Sequence, residues 1–164
     1  RYKRLGLNLN EVQEQLLKVN NLALENKPAD LRVTTHICRG NYHSTYFTSG
    51  PYDSVADFVF AKENVNALYL EYDDERSGGF SPLAKVSEDK QVFLGLITSK
   101  RPELEDKAAV IERIKEAAKY IPLNRLSLCP QCGFASCEIG NKLTEEEQWA
   151  KIKLVREIVE EVWK

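Results

Sequence analysis

The stretch Val92–Thr98, VFLGLIT, decides the fold class because nearly all of it is apolar. A short apolar run without polar alternation is typical of a strand that is buried on both faces, as in a parallel sheet. Downstream, Pro102 stands where a first-turn proline belongs, and acidic residues follow it. A helix is therefore predicted to begin there, with a buried face formed by Ala108, Ile111, Ile114 and Ala118. Together, the strand and the helix form one βα unit.

Three further strands extend this pattern along the chain, each predicted from a short apolar run: Leu31–Cys38 (LRVTTHIC), Ala67–Tyr72 (ALYLEY) and Leu126–Cys129 (LSLC). Helices are predicted around them, with caps at Asn10, Asp53 and Thr144. The order α-βα-βα-βα-βα is typical of an α/β protein with a parallel sheet. No Gly-x-Gly-x-x-Gly or Walker sequence follows a strand, which argues against a nucleotide-binding fold. Four such strands are half of a barrel, and open edges are a liability unless paired.

The composition is that of a globular protein, since 43% of the 164 residues are hydrophobic and 29% are charged. The 23 basic and 25 acidic residues give a formal charge of −2, so nucleic acid and membranes are not expected as partners. No apolar run approaches the ~20 residues of a membrane-spanning helix. Arg1–Leu5 has no signal-peptide pattern, and we expect a cytoplasmic protein. Because the chain begins with Arg1 and contains no Met, we expect it to be part of a longer product.

Side chains suited to metal binding follow three of the predicted strands. His36 and Cys38 lie at the end of the first strand, on one face because strand side chains repeat every two residues. Glu71 ends the second strand, and Cys132 follows the fourth. The carboxyl ends of parallel strands meet at one rim, so these groups should lie close together. An imidazole, two thiolates and a carboxylate favour Zn²⁺ over Mg²⁺ or Ca²⁺.

Two other interpretations of the cysteines stay open. Cys129 and Cys132 form a Cys-x-x-Cys sequence, as in thioredoxin-like proteins, although that motif belongs near a first strand. A closed structural zinc site using Cys129, Cys132, Cys38 and His36 is the second interpretation. Cys137 is interpreted as a structural residue. Four cysteines are too few for a disulfide-stapled secreted scaffold.

Four short segments resemble the catalytic domain of the cobalamin-independent methionine synthase family: His36–Cys38, Leu68–Glu71, Ile121–Leu126 and Pro130–Gly133. The resemblance runs from about Leu31 to the end of the chain and is closest to short bacterial homologues that lack a duplicated N-terminal half. It implies a (β/α)8 TIM-barrel fold, of which this chain supplies about the last four βα units. Residues 1–164 are then expected to form the C-terminal half of the barrel and to be an incomplete enzyme alone.

The resemblance also implies a ligand set and a reaction. In that family a zinc ion is held by a His-x-Cys pair, a Glu and a later Cys, which correspond to His36, Cys38, Glu71 and Cys132. The implied enzyme is a methyltransferase of the 5-methyltetrahydropteroyltriglutamate–homocysteine S-methyltransferase kind, acting in methionine biosynthesis. The expected partners are homocysteine or a related thiol and a methyl donor, a methylated folate or another. Zn²⁺ is the implied cofactor, and no residues for an organic cofactor are predicted.

One segment departs from the family pattern. The larger members have an Asp-Ile-His-Ser segment after the third of these strands, where the His is associated with proton transfer. Here the stretch is Leu96–Lys100, which has no His. His43, in the loop after the first strand, is the candidate for a replacement catalytic acid. The alternative functions are a zinc-dependent alkyl transferase that acts on another thiol, such as coenzyme M, and a non-catalytic module with a structural zinc.

Overall fold

The computed structural model describes residues 5–164, which contain a four-stranded parallel sheet in the order β1-β2-β3-β4. The strands are β1 (Thr34–Ile37), β2 (Ala67–Glu71), β3 (Gln91–Ile97) and β4 (Leu126–Pro130). Each strand pairs in parallel with the next one along the chain, as in the wall of a (β/α)8 barrel. The predicted α/β class is confirmed. Residues 1–4, which form most of the segment inspected for a signal peptide, lie outside the described part.

Four helices flank the strands within this range: α1 (Leu9–Ala23), α2 (Asp53–Val55, continued as a π-helix over Ala56–Phe60), α3 (Lys107–Ala117) and α4 (Glu145–Val162). The connection between β2 and β3 differs from the prediction, because it holds two short 3-10 helices, Glu75–Ser77 and Ser81–Lys85, instead of an α-helix. Gly78 and Gly79 separate these turns, and Pro82 lies in the second. Glycine and proline disfavour a continuous helix there.

The helix starts agree in part with the sequence prediction. Thr144 and Glu147 form the predicted capping box of α4. Helix α1 is capped two residues earlier than predicted, by Asn8, whose side chain accepts a hydrogen bond from the amide of Asn10. Asp53 is the first residue of α2 rather than its cap.

Helix α3 starts later than predicted. It begins after Asp106, whose side chain caps it, whereas Pro102 lies in a non-helical segment. Glu105 explains the delay because its carboxylate accepts a hydrogen bond from the Thr98 amide at 2.8 Å and pairs with the Lys151 ammonium of α4. These contacts hold the segment against the end of β3, where a helical turn would draw it away.

The hydrophobic core lies between one face of the sheet and the elements that cover it, which are the π-helix Ala56–Phe60, the 3-10 helix Ser81–Lys85, α3 and α4. Its most fully buried members include Leu68, Leu70, Val92, Leu94, Leu96, Ile114 and Ile158. Strand side chains alternate between faces, so the intervening residues face the opposite side, which is the interior side of a barrel. There, His36, Tyr69 and Phe93 lie in register, and the two rings stack at 4.1 Å. The second face therefore carries the predicted site.

Apolar side chains on α1 are exposed in this structure. The helical spacing of Leu16, Val19 and Leu22 in the sequence predicts a buried face, but these residues are 56%, 63% and 63% exposed. The same spacing in α4 predicts a buried Trp149, which is instead 58% exposed and donates a hydrogen bond to Glu145. Among residues 5–164, β1 and β4 each have a partner strand on one side only. No helix in this part of the chain combines the length and hydrophobicity needed to cross a bilayer.

Replacing Gly95 with Ala is expected to destabilise the sheet. A Cβ at this position of β3 would lie 2.7 Å from the Leu70 carbonyl oxygen and 2.9 Å from Cα of Gln131. Because both are backbone atoms that cannot move independently, we expect the free energy of unfolding to fall by about 2 kcal/mol. Urea denaturation of the intact protein measures the change. Gly79→Ala is the control, since nothing lies within 4 Å of a Cβ there; similar losses in both variants would contradict the steric explanation.

Candidate metal centre

Three of the predicted ligands come together at the carboxyl end of the sheet. His36 lies near the end of β1, Cys38 directly follows that strand, and Cys132 lies just beyond β4. One ligand atom from each, a ring nitrogen and two Sγ atoms, lies within 4.8 Å of the other two. Strands β1 and β4 are the outermost strands of the described sheet. Their carboxyl ends come close together because the sheet curls, as the wall of a barrel does. We call these residues the ligand group.

The ligand group borders an open cleft on the interior face of the sheet. The cleft has a volume of about 390 Å³, and its lining includes His36, Cys132, Thr34, Tyr69 and Cys129. His36 is exposed, whereas both sulfurs of the group belong to half-buried residues. A small molecule can therefore reach the group from the cleft.

Hydrogen bonding within the ligand group changes the protonation of its members. The hydrogen bond between Cys132 and His36 lowers the pKa of the thiol to about 6 and raises the pKa of the imidazole. Burial raises the pKa of the Cys38 thiol. A thiolate is the form of cysteine that binds metals, and Cys132 favours this form at neutral pH.

Glu71, the fourth predicted ligand, is fully buried beside the group but is not among the atoms that gather there. Its Oε2 accepts hydrogen bonds from the backbone amide of Arg39 at 2.9 Å and from Nε2 of Gln131 at 2.6 Å. Its Oε1 accepts one from the Arg76 guanidinium at 2.6 Å. Within the described residues, the structure therefore unites His36, Cys38 and Cys132 and holds the Glu71 carboxylate aside.

One aromatic side chain, Tyr52, and one cationic side chain, Arg39, fix the ends of β1 and β2. The Tyr52 hydroxyl donates to the Ile37 carbonyl and accepts from the Glu71 amide, both at 2.8 Å. Burial raises the pKa of Tyr52 to about 12, so this hydroxyl stays protonated at neutral pH. The Arg39 guanidinium lies over the Tyr52 ring at 4.1 Å and donates to the Gly50 carbonyl. Together these contacts determine where the backbone places Cys38 and Glu71.

A buried charge network lies behind Glu71. Arg76 also pairs with Asp73 at 2.9 Å, and Asp73 pairs with Lys100 at 3.5 Å. Burial lowers the pKa of Lys100. Lys100 is the last residue of the stretch Leu96–Lys100, which has no His, so this stretch carries a buried cation instead.

A chain of hydrogen bonds leads from Cys132 back to Glu71. Ser136 contacts the Cys132 sulfur at 3.4 Å and accepts from the Asn41 amide at 3.2 Å. The same amide donates to the Ser99 hydroxyl at 3.1 Å, and Ser99 donates to Oε1 of Gln131 at 3.1 Å. Gln131 then donates to Glu71. Sequence reasoning assigned no role to Asn41, Ser99 or Gln131. Each is a polar residue close to a predicted strand end, and Gln131 also lies in the segment Pro130–Gly133 that carries the family resemblance.

His43, the predicted catalytic acid, lies in a tight turn between Tyr42 and Thr45, with a φ of 45°. The turn is held to the loop after β4 by a hydrogen bond of 2.6 Å from the Ser44 hydroxyl to the Asn141 side chain. The buried Nδ1 of His43 has no hydrogen-bond partner in the described part of the chain. His43 is not a member of the ligand group, and its catalytic role stays a prediction.

The remaining cysteines lie outside the ligand group in the described residues. Cys129 lines the same cleft, and burial raises the pKa of its thiol to about 12, which disfavours the thiolate. Cys137 lies in the loop after β4, where its sulfur is 3.8 Å from the Gly140 carbonyl oxygen. Cys129 and Cys132 of the Cys-x-x-Cys sequence therefore do not belong to one metal site, because only Cys132 is a member of the ligand group.

The donor set of the ligand group fits a zinc ion. Zn²⁺ accepts cysteine sulfur and histidine nitrogen in a tetrahedral arrangement, and catalytic sites use three protein ligands with an open fourth position. His36, Cys38 and Cys132 supply such a set, and two of them, His36 and Cys132, line the cleft. Mg²⁺ and Ca²⁺ require oxygen ligands, which this group does not supply.

The parallel sheet, with its site at the strand ends, makes this an α/β protein of the TIM-barrel type. Residues 12–160 match the family model described as the catalytic domain of cobalamin-independent synthase, and the chain belongs to this family. It is 52% identical to the uncharacterized protein YxjG of Bacillus subtilis over 160 residues, which are 97% of this chain and 42% of that protein. The chain thus spans about two fifths of the length of that relative.

Two solved structures are similar to the chain. One is a candidate vitamin-B12 independent methionine synthase from Listeria monocytogenes, with a TM-score of 0.71 and 38% identity over 93% of this chain and 41% of that one. The other is a B12-independent methionine synthase from Shewanella sp. W3-18-1 in complex with selenomethionine, with a TM-score of 0.74 and 20% identity over 94% and 44%. The predicted family and TIM-barrel-type fold are confirmed.

Proposed function

We propose that the protein is a zinc-dependent methyltransferase that transfers a methyl group to the sulfur of homocysteine, giving methionine. The observation that carries this proposal is the convergence of His36, Cys38 and Cys132 within 4.8 Å at the rim of the sheet. Membership of the cobalamin-independent synthase family supports the methyltransferase class. The Shewanella protein, which has the same fold, binds the selenium analogue of methionine, which is consistent with this product.

The ligand group supplies what thiol alkylation requires. A bound Zn²⁺ lowers the pKa of a coordinated thiol, so that a nucleophilic thiolate persists at neutral pH. His36, Cys38 and Cys132 would hold the ion, and the Glu71 carboxylate, buried beside them, would be the exchangeable fourth ligand. Two thiolates and a carboxylate against a divalent ion leave a net charge of about −1, which keeps an incoming thiolate reactive. The open cleft admits the thiol from one side.

The methyl donor in this proposal is a methylated folate, and its leaving nitrogen requires a proton. His43 is the residue that we assign as this acid, because its turn is fixed to the loop that carries Cys132 through Ser44 and Asn141. A cytoplasmic location fits thiol chemistry, since thiols stay reduced there.

Residues 1–164 would be the C-terminal half of a (β/α)8 barrel in this proposal. The free sides of β1 and β4 among the described residues would pair with the strands of the other half. The exposed side chains Leu16, Val19 and Leu22 of α1 would pack against the same half. The coverage of about two fifths of the YxjG relative is consistent with this division.

Chelation tests the proposal in the intact protein. Removing the metal with a strong chelator is expected to abolish alkylation of homocysteine while the far-ultraviolet circular dichroism stays unchanged, because the core lies on the other face of the sheet. Adding Zn²⁺ should restore activity. Loss of the circular dichroism signal on chelation would contradict a catalytic role and indicate a structural zinc instead. The rate of alkylation of coenzyme M, measured beside that of homocysteine, gives the selectivity for the thiol acceptor. Faster alkylation of coenzyme M would overturn homocysteine as the substrate.

A further inference from the structure

We propose that Gln131 is a positioning residue that competes with the metal for the Glu71 carboxylate and thereby keeps one ligand position open for the substrate thiol. This inference rests on the proposed zinc site. It concerns the hydrogen bonds that hold the Glu71 carboxylate away from His36, Cys38 and Cys132.

The Glu71 carboxylate lies in a site built to hold it. The side chain is fully buried, and a buried carboxylate is costly unless hydrogen bonds and charges compensate for it. The Arg39 amide, the Arg76 guanidinium and the Gln131 side chain supply three donors to its two oxygens, at 2.9, 2.6 and 2.6 Å. Hydrogen bonds to charged groups are the stronger ones in proteins, so leaving this site has a cost.

The Gln131 side chain is fixed in the orientation that holds Glu71. It is only 1% exposed, and its Oε1 accepts a hydrogen bond from the Ser99 hydroxyl, which directs Nε2 to the carboxylate. Its backbone amide donates to the Ile97 carbonyl at 2.7 Å. Gly95 lacks the Cβ that would lie 2.9 Å from Cα of Gln131. Two hydrogen bonds therefore hold the residue in place, and Gly95 leaves room for its close approach to β3.

Gln131 also directly precedes Cys132. The same turn therefore carries the metal ligand Cys132 and the residue Gln131, which competes with the metal for Glu71. If Glu71 were the fourth ligand, the metal would have no open position. If Glu71 stays hydrogen-bonded to Gln131, one position is open. The equilibrium between these two positions of the carboxylate then determines how readily a thiol binds.

Gln131→Met tests this balance, because it removes the donor while nearly preserving the volume. Zinc affinity is measured by competition with a chromophoric chelator, and homocysteine affinity from the absorption spectrum of the Co²⁺-substituted intact protein. With Glu71 released to the metal, we expect zinc to bind about tenfold tighter and homocysteine about tenfold weaker, the size expected for one charged hydrogen bond. General damage to the site would weaken both affinities, so the opposite signs identify the positioning role.

Two further variants complete the experiment. Gln91→Met makes the same change at the other end of β3 and should alter neither affinity. In a Glu71→Ala background, Gln131→Met should have no further effect, because its partner is absent. Unchanged affinities, or a parallel loss of both, in Gln131→Met would overturn this inference alone. Failure of the unaltered protein to bind zinc would overturn the proposed function and this inference with it.

Discussion

Replacing Cys132 with Ser should weaken Zn²⁺ binding by more than about a hundredfold, since even residues that only support a ligand contribute 10–100-fold. The variant loses the Cys132 thiol, whose pKa is lowered by its hydrogen bond with His36 so that the metal-binding thiolate is favoured. Serine supplies a protonated oxygen in its place. Alkylation of homocysteine should fall with the metal content. Zinc content after dialysis against a weak chelator, together with the rate at saturating Zn²⁺, measures both effects.

The other two nearby cysteines are matched controls for this variant. Cys137 is also half-buried, but its sulfur donates to the Gly140 carbonyl and lies outside the ligand group, so Cys137→Ser should retain zinc. Cys129 lines the cleft outside the ligand group, and Cys129→Ser should also retain it. Zinc loss in Cys129→Ser equal to that in Cys132→Ser would contradict our ligand assignment and favour a closed site built on the Cys-x-x-Cys pair.

Replacing Glu105 with Gln should lower the free energy of unfolding by about 3–5 kcal/mol, the effect of leaving a buried charge without its partner. The Lys151 ammonium is fully buried in α4 and lies 3.1 Å from the Glu105 carboxylate. Its remaining hydrogen bond, to the Glu103 carbonyl, does not compensate for the positive charge. Urea denaturation of the intact protein gives the free energy of unfolding.

Two variants show whether burial is the cause of that effect. Glu112→Gln breaks an exposed ion pair with Lys115 in α3 and should change stability by less than about 1 kcal/mol. Combining Glu105→Gln with Lys151→Met removes both charges and should recover most of the loss. A double variant as unstable as Glu105→Gln alone would contradict the explanation.

The sequence predicted those parts of the fold that depend on local patterns. Apolar runs identified all four strands, and the two-residue repeat placed His36 and Cys38 on one face. Because the strands are parallel and consecutive, the ends that carry His36, Cys38 and Cys132 had to meet at one rim. The capping box at Thr144 is also local and was predicted correctly.

The parts that depend on distant partners could not be predicted in the same way. The late start of α3 depends on the contact of Glu105 with Lys151 across the fold. The place of the Glu71 carboxylate depends on donors from three segments, which carry Arg39, Arg76 and Gln131. No local sequence pattern indicates such contacts, because each depends on how distant segments pack together in the folded chain.

X-ray absorption at the zinc edge, recorded on the intact protein with and without homocysteine, tests the zinc centre most directly. We expect two sulfur neighbours of the zinc before the thiol is added, from Cys38 and Cys132, and three after it is added. An unchanged count of two sulfurs would contradict binding of the substrate to the metal. Three sulfurs before addition would contradict the ligand assignment, because Cys129 would then be bound to the metal.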